Sequence, residues 1–354
     1  MPVRLKDIAK ETGVSLSTVQ QVLTGRADRF AATTREKVQR AADSLGYRPN
    51  LNARGMQSGR SMLVGVLFSG VNYAGATSFF EGVQEGLTEQ GYAPVTFTHH
   101  SIEQQLDALK QCIARQVDGV ILNAAVDHDC PGYIGELPQV LPADLPVIEV
   151  LGEFICQQPS IQIDFESIGQ YCAQHLLAKG HRRIVMLTHE KYDRYRSAQA
   201  PFHTDWRFSR GFKAVLEQAG LLAEIITHPL PTDISTPGHV ASSAHQMFAE
   251  WLAQQAGPMG ICAANDPQGA AIVQAIREKL GPTQERVEVI YAGDPRQIIA
   301  RPSWCSILAN PFDQVGRCAA DAILQAIAGR KMVDQFIAAD SPGHDFHSPN
   351  KTAN

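Results

Sequence analysis

The stretch LKDIAKETGVSLSTVQQVL, residues 5–23, decides how the N-terminal part of this chain folds. Its apolar residues from Leu5 to Thr12 recur every three or four positions, so they share one face of a short helix. Gly13 follows as a helix stop, and the hydroxyl of Ser15 can serve as the N-cap of a second helix. The pattern therefore predicts two short helices joined by a glycine turn.

A third helix is predicted after this pair. Thr33-Thr34-Arg35-Glu36 reads as a capping box, and apolar side chains then keep helical spacing until Gly46. The outward residues of the second helix are short or carry amides, which suits entry into a major groove. Three helices with a glycine turn between the first two are typical of a helix-turn-helix. An ordinary three-helix surface without a DNA role is the alternative.

The charge of the chain is unevenly distributed. Its net charge is −5, but residues 1–61 carry 11 Lys and Arg against 5 Asp and Glu. The remaining residues carry 20 against 31, which makes them acidic. A basic head on an acidic body is expected when only the head touches phosphates. A merely solvated basic tail would show the same asymmetry.

Composition excludes several classes of protein. The 354 residues suffice for two or three domains, and a hydrophobic content of 44% indicates a globular chain. Without an apolar run of about 18 residues or a secretory signal, we expect neither a membrane span nor export. The seven cysteines show no C-x-x-C pair, which favours reduced thiols in a cytoplasm and argues against zinc.

From Leu63 onward, short apolar runs alternate with amphipathic stretches. Strands are predicted over Leu63–Phe68, Ala93–Thr98, Gly119–Leu122, Pro146–Val150, Ile184–Thr188, Glu224–His228, Gly260–Ala263 and Val287–Ala292. Helices are predicted near 78–90, 102–115, 167–179, 207–219, 241–254, 267–279 and 312–328. This alternation predicts parallel, doubly wound sheets with helices on both faces. A weak repeat, Gly82-Val83 to Gly91 against Gly211-Phe212 to Gly220, indicates two similar α/β lobes with a ligand cleft between them.

Particular residues resemble the LacI/GalR (lactose-repressor) family of bacterial transcription regulators. In the head these are Leu5-Lys6-Asp7-Ile8-Ala9-Lys10, Gly13-Val14-Ser15 and Leu45-Gly46-Tyr47-Arg48-Pro49-Asn50. In the body they are Gly180-His181-Arg182-Arg183-Ile184, Asn265-Asp266 and Pro311-Phe312. The resemblance covers about residues 4–330. It implies a small all-α helix-turn-helix head and a two-lobed, periplasmic-binding-protein-like α/β effector domain.

The resemblance also implies DNA contacts. The family's base-reading positions map to Leu16, Ser17 and Gln21. The family usually has Arg at position 21 and Ser at position 20, so the two glutamines here are a departure that bears on the operator sequence. The full set of predicted contacts is Ser15, Leu16, Ser17, Thr18, Gln20, Gln21, Arg26, Tyr47, Asn50, Arg54 and Met56.

A hinge is predicted at residues 47–61. Pro49 breaks the third helix, and Gly55 weakens the short segment that follows, which alone in water should be mostly unfolded. In the family this segment becomes a helix on DNA and wedges an apolar residue into the minor groove, a place held here by Met56. A plain flexible linker is the alternative.

Effector contacts are carried over from the family where residues match. They are Phe79, Asn123, Asn265 and Asp294, of which Asp294 would accept hydrogen bonds from ligand hydroxyls. Phe208 stands where the family has its cleft arginine, and Arg207 is our substitute candidate. The resemblance implies a sugar or sugar derivative as the effector. The charged stretch Glu190–Arg196 is predicted as a loop at the cleft mouth, with a solvated surface loop as the alternative.

The predicted organisation is a head (1–46), a hinge (47–61), an effector and dimerisation domain (62–340) and a disordered tail (341–354). The tail has no leucine heptad, so a homodimer on a palindromic operator is expected rather than a tetramer. No nucleophile elbow, P-loop or zinc motif occurs, so no enzyme, cofactor or metal is expected. A free-standing small-molecule binding protein would share the body but lack the head, and an architectural DNA binder would not need the body.

Overall fold

The computed structural model describes residues 3–23, 27–47, 59–69, 75–124, 140–151, 158–190, 204–229, 237–281, 284–297 and 301–338. The chain divides into two compact units, residues 1–61 and 62–354.

The first unit is a three-helix head. Its helices are α1 (Leu5–Thr12), α2 (Leu16–Leu23) and α3 (Ala32–Leu45), with a 3-10 turn at Ala27–Arg29. Gly13 ends α1 at a φ of 67°, a left-handed conformation that glycine adopts without strain. The Ser15 hydroxyl accepts a hydrogen bond from the Thr18 amide at 3.1 Å, as predicted for an N-cap. Ile8, Val19 and Val38 are fully buried between the helices.

The predicted start of the third helix is wrong. The carbonyl of Ala31 already accepts hydrogen bonds from the amides of Thr34 and Arg35, so the helix begins at Ala32. No side chain caps this end. The Thr33 and Thr34 hydroxyls therefore lie inside the first turn, and the expected capping box at Thr33–Glu36 does not form.

The second unit contains two parallel sheets. The N-terminal lobe holds six strands in the order β11-β5-β4-β3-β1-β2, and the C-terminal lobe holds five in the order β10-β9-β8-β6-β7. The strands are β1 (Leu63–Phe68), β2 (Ala93–Thr98), β3 (Gly119–Leu122), β4 (Val147–Val150), β5 (Ser160–Ile163), β6 (Ile184–His189), β7 (Glu224–His228), β8 (Met259–Ala263), β9 (Val287–Gly293), β10 (Cys305–Ala309) and β11 (Gln335–Ile337). The helices are α4 (Ala76–Glu89), α5 (Ile102–Ala114), α6 (Phe165–Ala178), α7 (Thr204–Gln218), α8 (Pro237–Leu252), α9 (Asp266–Leu280) and α10 (Phe312–Ile327). The predicted fold class is confirmed.

The sequence patterns missed three strands. They are β5, β10 and β11. Strand β11 has only three residues, and Ser160 and Gln162 interrupt the apolar run that would have marked β5. All three lie on one side of their sheets, where β11 forms the edge of the first sheet and β10 the edge of the second.

The chain passes between the lobes at two places in the described residues. It leaves the first sheet after β5 to form α6, which packs on β8 and β9. It leaves the second sheet after β10 to form α10, which packs on β3, β4 and β5. Within each lobe the two helices next to a crossover pack closely, α4 against α10 and α6 against α7. The cleft is therefore bordered by strand ends from both sheets.

Candidate DNA-reading helix and effector cleft

The outward face of α2 presents the predicted base-reading residues. Ser15, Leu16 and Ser17 are exposed. The apolar Leu16 side chain is 50% accessible and does not belong to the hydrophobic core of the head. The Gln21 amide donates to the Ser17 hydroxyl at 3.3 Å, so these two side chains are neighbours on the surface of one helix. The Ser15 and Thr18 hydroxyls lie 2.8 Å apart at its N-terminus. This end of α2 offers donors and acceptors suited to base edges and phosphates.

The other predicted DNA contacts differ in how far the structure describes them. Gln20 and Tyr47 are half-buried, and Tyr47 packs against the core of the head. Arg26, Asn50, Arg54 and Met56 lie outside the described residues, so their roles stay predictions.

Four polar side chains line the carboxyl edge of the C-terminal sheet. Asp294 follows β9 and Asn265 follows β8, as the sequence predicted. His189 ends β6 and His228 ends β7, and these two residues are register partners. Because the carboxyl ends of parallel strands form the ligand-binding edge of an α/β sheet, these residues make one wall of the cleft.

Asp294 is the most heavily hydrogen-bonded residue of this wall. Its carboxylate accepts from the Arg296 backbone amide at 3.0 Å and from the Arg296 guanidinium at 2.8 to 3.2 Å. Its own amide donates to Asp266 at 2.9 Å. The carboxylate is buried, with 7% of the side chain accessible. A ligand hydroxyl at Asp294 would therefore meet a carboxylate already bound to an arginine.

Asn265 and Asp266 hold the loop between β8 and α9. The Asn265 side chain caps α9 by accepting from the Gln268 amide at 3.1 Å. Burial raises the pKa of Asp266 to about 7, and the hydrogen bond from the Asp294 amide opposes that rise. The proximity of the Asp294 carboxylate raises the pKa further.

Arg207 lies beside the crossover between the lobes. Its guanidinium is 3.3 Å from the Asp164 carboxylate and 4.6 Å from the ring centre of Phe336. Asp164 follows β5 as the N-cap of α6 and Phe336 belongs to β11, so this arginine of the C-terminal lobe contacts two segments at one edge of the N-terminal sheet. Phe208, at the position of the family's arginine, is fully buried and stacks on Phe212.

The N-terminal lobe places Phe79 and Asn123 in its interior. The Phe79 ring is fully buried and its centre is 4.9 Å from that of Phe68. The Asn123 side chain accepts from the Ser69 amide and hydroxyl and donates to the Val150 and Leu151 carbonyls. Asn123 therefore ties the ends of β1, β3 and β4 together.

His99 packs beneath Asn123. Its Nε2–H donates to the Asn123 carbonyl at 3.0 Å, and the residue is fully buried. Burial lowers the pKa of His99 to about 4, more than this hydrogen bond raises it, so the imidazole is neutral at pH 7.

Sequence reasoning missed a buried polar cluster on the C-terminal wall. The His189 imidazole is 3.3 Å from the Asp205 carboxylate, which also accepts from the Thr188 hydroxyl at 3.1 Å. His228 Nδ1–H donates to the Pro229 carbonyl at 3.0 Å, and its Nε2 lies 3.3 Å from the Gln268 amide nitrogen. His228 is the last residue of a predicted strand and His189 directly follows one, and that position was the available signal.

Among the described residues, no cluster of three or more His, Cys, Asp or Glu side chains could hold a metal ion. None of the described helices combines the length and apolar character needed to cross a bilayer.

Two known families match parts of the chain, one in each unit. The family described as "Bacterial regulatory proteins, lacI family" matches residues 4–50. The family described as "Periplasmic binding protein-like domain" matches residues 173–343. The chain belongs to the LacI family of bacterial transcription regulators. The predicted family and the predicted role in transcription regulation are confirmed.

Similar proteins match this regulator along nearly its whole length. Catabolite control protein A of Priestia megaterium is 24% identical over 343 residues, covering 95% of this chain and 96% of its own. The HTH-type transcriptional regulator GntR of Pseudomonas aeruginosa is 29% identical over 345 residues, covering 94% and 92%. The ribose operon repressor of Escherichia coli K12 is 24% identical over 338 residues, covering 94% and 96%.

Solved structures share the fold. A lac repressor dimer bound to operator and the anti-inducer ONPF superposes with a TM-score of 0.72 at 22% identity, covering 96% of this chain and 97% of that one. A complex of the transcriptional regulator CelR with cellobiose gives a TM-score of 0.60 at 24% identity, covering 95% and 97%.

Proposed function

We propose that this regulator represses transcription by binding a palindromic double-stranded DNA operator as a homodimer, and that a sugar or sugar derivative in the cleft controls this binding. The observation that carries the proposal is the presence, in one chain, of an exposed polar face on α2 and a polar wall at the carboxyl edge of an α/β sheet. One head of this size makes few contacts, so two heads on a palindrome are needed for specific binding.

The DNA-reading part of the proposal rests on α2. The amide of Gln21 can form paired hydrogen bonds with adenine in the major groove. Ser15, Ser17 and Thr18 would bind phosphates or neighbouring base edges, and Leu16 would contact a thymine methyl group. We place Gln20, Arg26, Tyr47, Asn50, Arg54 and Met56 among the further contacts on the family resemblance.

The effector part rests on the chemistry of the cleft. Its acceptors, the carboxylate of Asp294 and the carbonyl of Asn265, suit ligands rich in hydroxyl groups. Phe79, Asn123 and Arg207 would complete the site on the family resemblance. Relatives named after ribose and a CelR complex with cellobiose support a carbohydrate.

Ligand binding at this cleft would change the relative position of the lobes and, through residues 47–61, the folding of the hinge on DNA. Operator and effector would then be thermodynamically coupled. The chain would act in the cytoplasm, where the DNA is, and without catalytic activity or a cofactor.

Selection of bound duplexes from a random-sequence DNA pool, followed by sequencing, tests the DNA-reading part. We expect a palindrome to be enriched. Gln21→Ala should weaken binding by about 1–3 kcal/mol at the base that Gln21 reads and relax the preference there. Gln39→Ala, on the exposed face of α3, is the matched control and should leave the preference unchanged. An enrichment without symmetry, or a preference unaffected by Gln21→Ala, would contradict the proposal.

The effector part is tested by operator affinity in a panel of sugars that includes ribose and cellobiose. At least one sugar should change operator affinity several-fold. Asp294→Ala should abolish that change while operator affinity without sugar stays close to that of the wild type. If the variant loses operator binding outright, Asp294 has a structural role rather than an effector role. A free-standing sugar-binding protein would bind sugar but enrich no duplex.

A further inference from the structure

Arg296 joins the two lobes of the effector domain across the cleft. It lies in a 3-10 turn (Pro295–Gln297) after β9 and binds the Asp294 carboxylate through its Nε and one Nη. The same Nη donates to the hydroxyl of Ser78. Ser78 belongs to the first turn of α4 in the N-terminal lobe.

A second residue of α4 faces the same guanidinium. The other Nη of Arg296 is 3.9 Å from the Glu81 carboxylate, one helical turn beyond Ser78. The hydrogen bonds to Asp294 raise the pKa of Arg296, and the nearby charges of Asp294, Glu81 and Asp313 raise it further. Arg296 is therefore a permanent cation among three carboxylates.

The geometry makes the two ends of this link unequal. The Asp294 end is buried and has several hydrogen bonds in a fork arrangement, which is the strong form of an arginine–carboxylate pair. The α4 end consists of one hydroxyl and one distant carboxylate, and more than half of the Arg296 side chain is accessible. The contact with α4 is thus the part that breaks more easily.

We propose that Arg296 is a positioning residue that couples Asp294 to lobe closure. Its guanidinium holds α4 against the C-terminal wall, and a ligand hydroxyl that hydrogen-bonds Asp294 competes with the guanidinium for the carboxylate oxygens. Effector binding at Asp294 and the link between the lobes then depend on one side chain. This inference rests on the proposed effector role of Asp294.

Pulsed electron–electron double resonance, which measures the distance between two spin labels, tests the link on the full-length chain without any ligand. Spin labels attached to non-canonical amino acids at Lys110 and Lys279, which are exposed on opposite lobes, leave the native cysteines unchanged. We expect Arg296→Ala and Ser78→Ala each to shift the distance distribution toward longer separations, raising the open fraction about threefold for a link that is partly exposed. Arg296→Lys should restore part of the wild-type distribution.

Arg317→Ala is the matched control, because Arg317 pairs with Glu85 of the same helix α4 at 2.6 Å but within one lobe. It should leave the distribution unchanged. Equal distributions in wild type and Arg296→Ala would overturn the proposal, as would an equal shift in Arg317→Ala. Circular dichroism of each variant confirms that it is folded before the distances are compared.

The coupling to effector is measured separately. For whichever of ribose and cellobiose changes operator affinity in the wild type, Arg296→Ala should reduce the ratio of affinities with and without sugar about threefold, and Arg317→Ala should not. An unchanged ratio would overturn the coupling. If neither sugar acts on the wild type, the ratio is measured with any other sugar of the panel that does. If no sugar of the panel acts, the proposed effector class is wrong, while the distance measurement still decides whether Arg296 links the lobes.

Discussion

At the scale of single residues, the burial of His99 makes the stability of the fold depend on pH, and the structure determines the direction of this dependence. The pKa of His99 in the folded chain is about 4, below its ordinary value of 6.5, so the fold is more stable when the imidazole is neutral than when it is protonated. That stability is fully present above pH 6.5 and is lost as the pH falls toward 4. At pH 5 the loss amounts to about 2 kcal/mol.

The test is the free energy of unfolding in urea at pH 8 and pH 5. His99→Gln keeps an N–H donor for the Asn123 carbonyl but cannot titrate, so it should lose about 2 kcal/mol less than the wild type over this interval. His100→Gln, on an exposed neighbour, serves as the control. Identical losses in the wild type and His99→Gln would show that His99 is not held neutral.

Single residues also show how far local sequence reasoning reaches. Ser15 was predicted as an N-cap because its partner, the Thr18 amide, is three positions away. Asp294 was placed in the cleft because it matches an acidic residue of the resembled family. Its link to the other lobe was not predicted, because Arg296 and Ser78 are 218 positions apart and no local pattern brings them together.

At the scale of elements, the internal repeat has a physical cause in helix packing. A Cβ atom on Gly211 of α7 would lie 2.0 Å from the Glu166 carbonyl of α6. A Cβ on Gly82 of α4 would lie 2.2 Å from the Asp313 carbonyl of α10. The two glycines of the repeat thus serve the same close crossing, once in each lobe.

Gly211→Ala should therefore destabilise the chain by about 2 kcal/mol, since the two helices must separate although alanine favours helix. Gly238→Ala is the control, because its new methyl group would meet nothing within 4 Å, and it should stabilise α8 by up to about 1 kcal/mol. Thermal unfolding of both variants measures the difference. If Gly211→Ala is as stable as the wild type, the close approach of α6 and α7 does not require a glycine at position 211.

Sequence patterns predicted the long helices and most of the strands, including β7, which is not wholly apolar. Strands such as β1 and β3 are continuous apolar runs buried on both faces, so their bounds agree with the prediction. The three-residue β11 carries too little pattern to be recognised, and its pairing with β5 depends on a chain segment about 170 positions away. The capping box failed because the Ala31 carbonyl begins the helix before the threonines can cap it.

At the scale of the whole molecule, the two-lobed body was predictable from strand–helix alternation, but the contacts between its lobes were not. Arg207 was predicted as a cleft residue from its distance to the Gly211-Phe212 pair. The structure places its guanidinium against Phe336 of β11 and against Asp164, which follows β5, and both are far from it in sequence. One step along a helix turns a side chain by about 100°, so moving the arginine from position 208 to 207 redirects it.

The separation of charge between the two units gives the last prediction. Residues 1–61 are basic and the rest of the chain is acidic, so binding to DNA of any sequence should depend on the head alone. The logarithm of the binding constant of the full chain should fall linearly with the logarithm of salt concentration, with a slope of about −0.9 for each phosphate neutralised. Lys110→Gln, in the body, should leave this slope unchanged.

Residues 62–354 have their own hydrophobic cores and should fold without the head, yet show no salt-dependent DNA binding. Fluorescence anisotropy with a labelled duplex measures the binding constants of the full chain and of residues 62–354. The salt concentration is varied from about 50 to 200 mM, a range in which phosphate contacts change affinity strongly. A comparable slope for residues 62–354 would mean that the acidic body binds phosphates, and it would contradict the prediction that the basic head alone binds DNA.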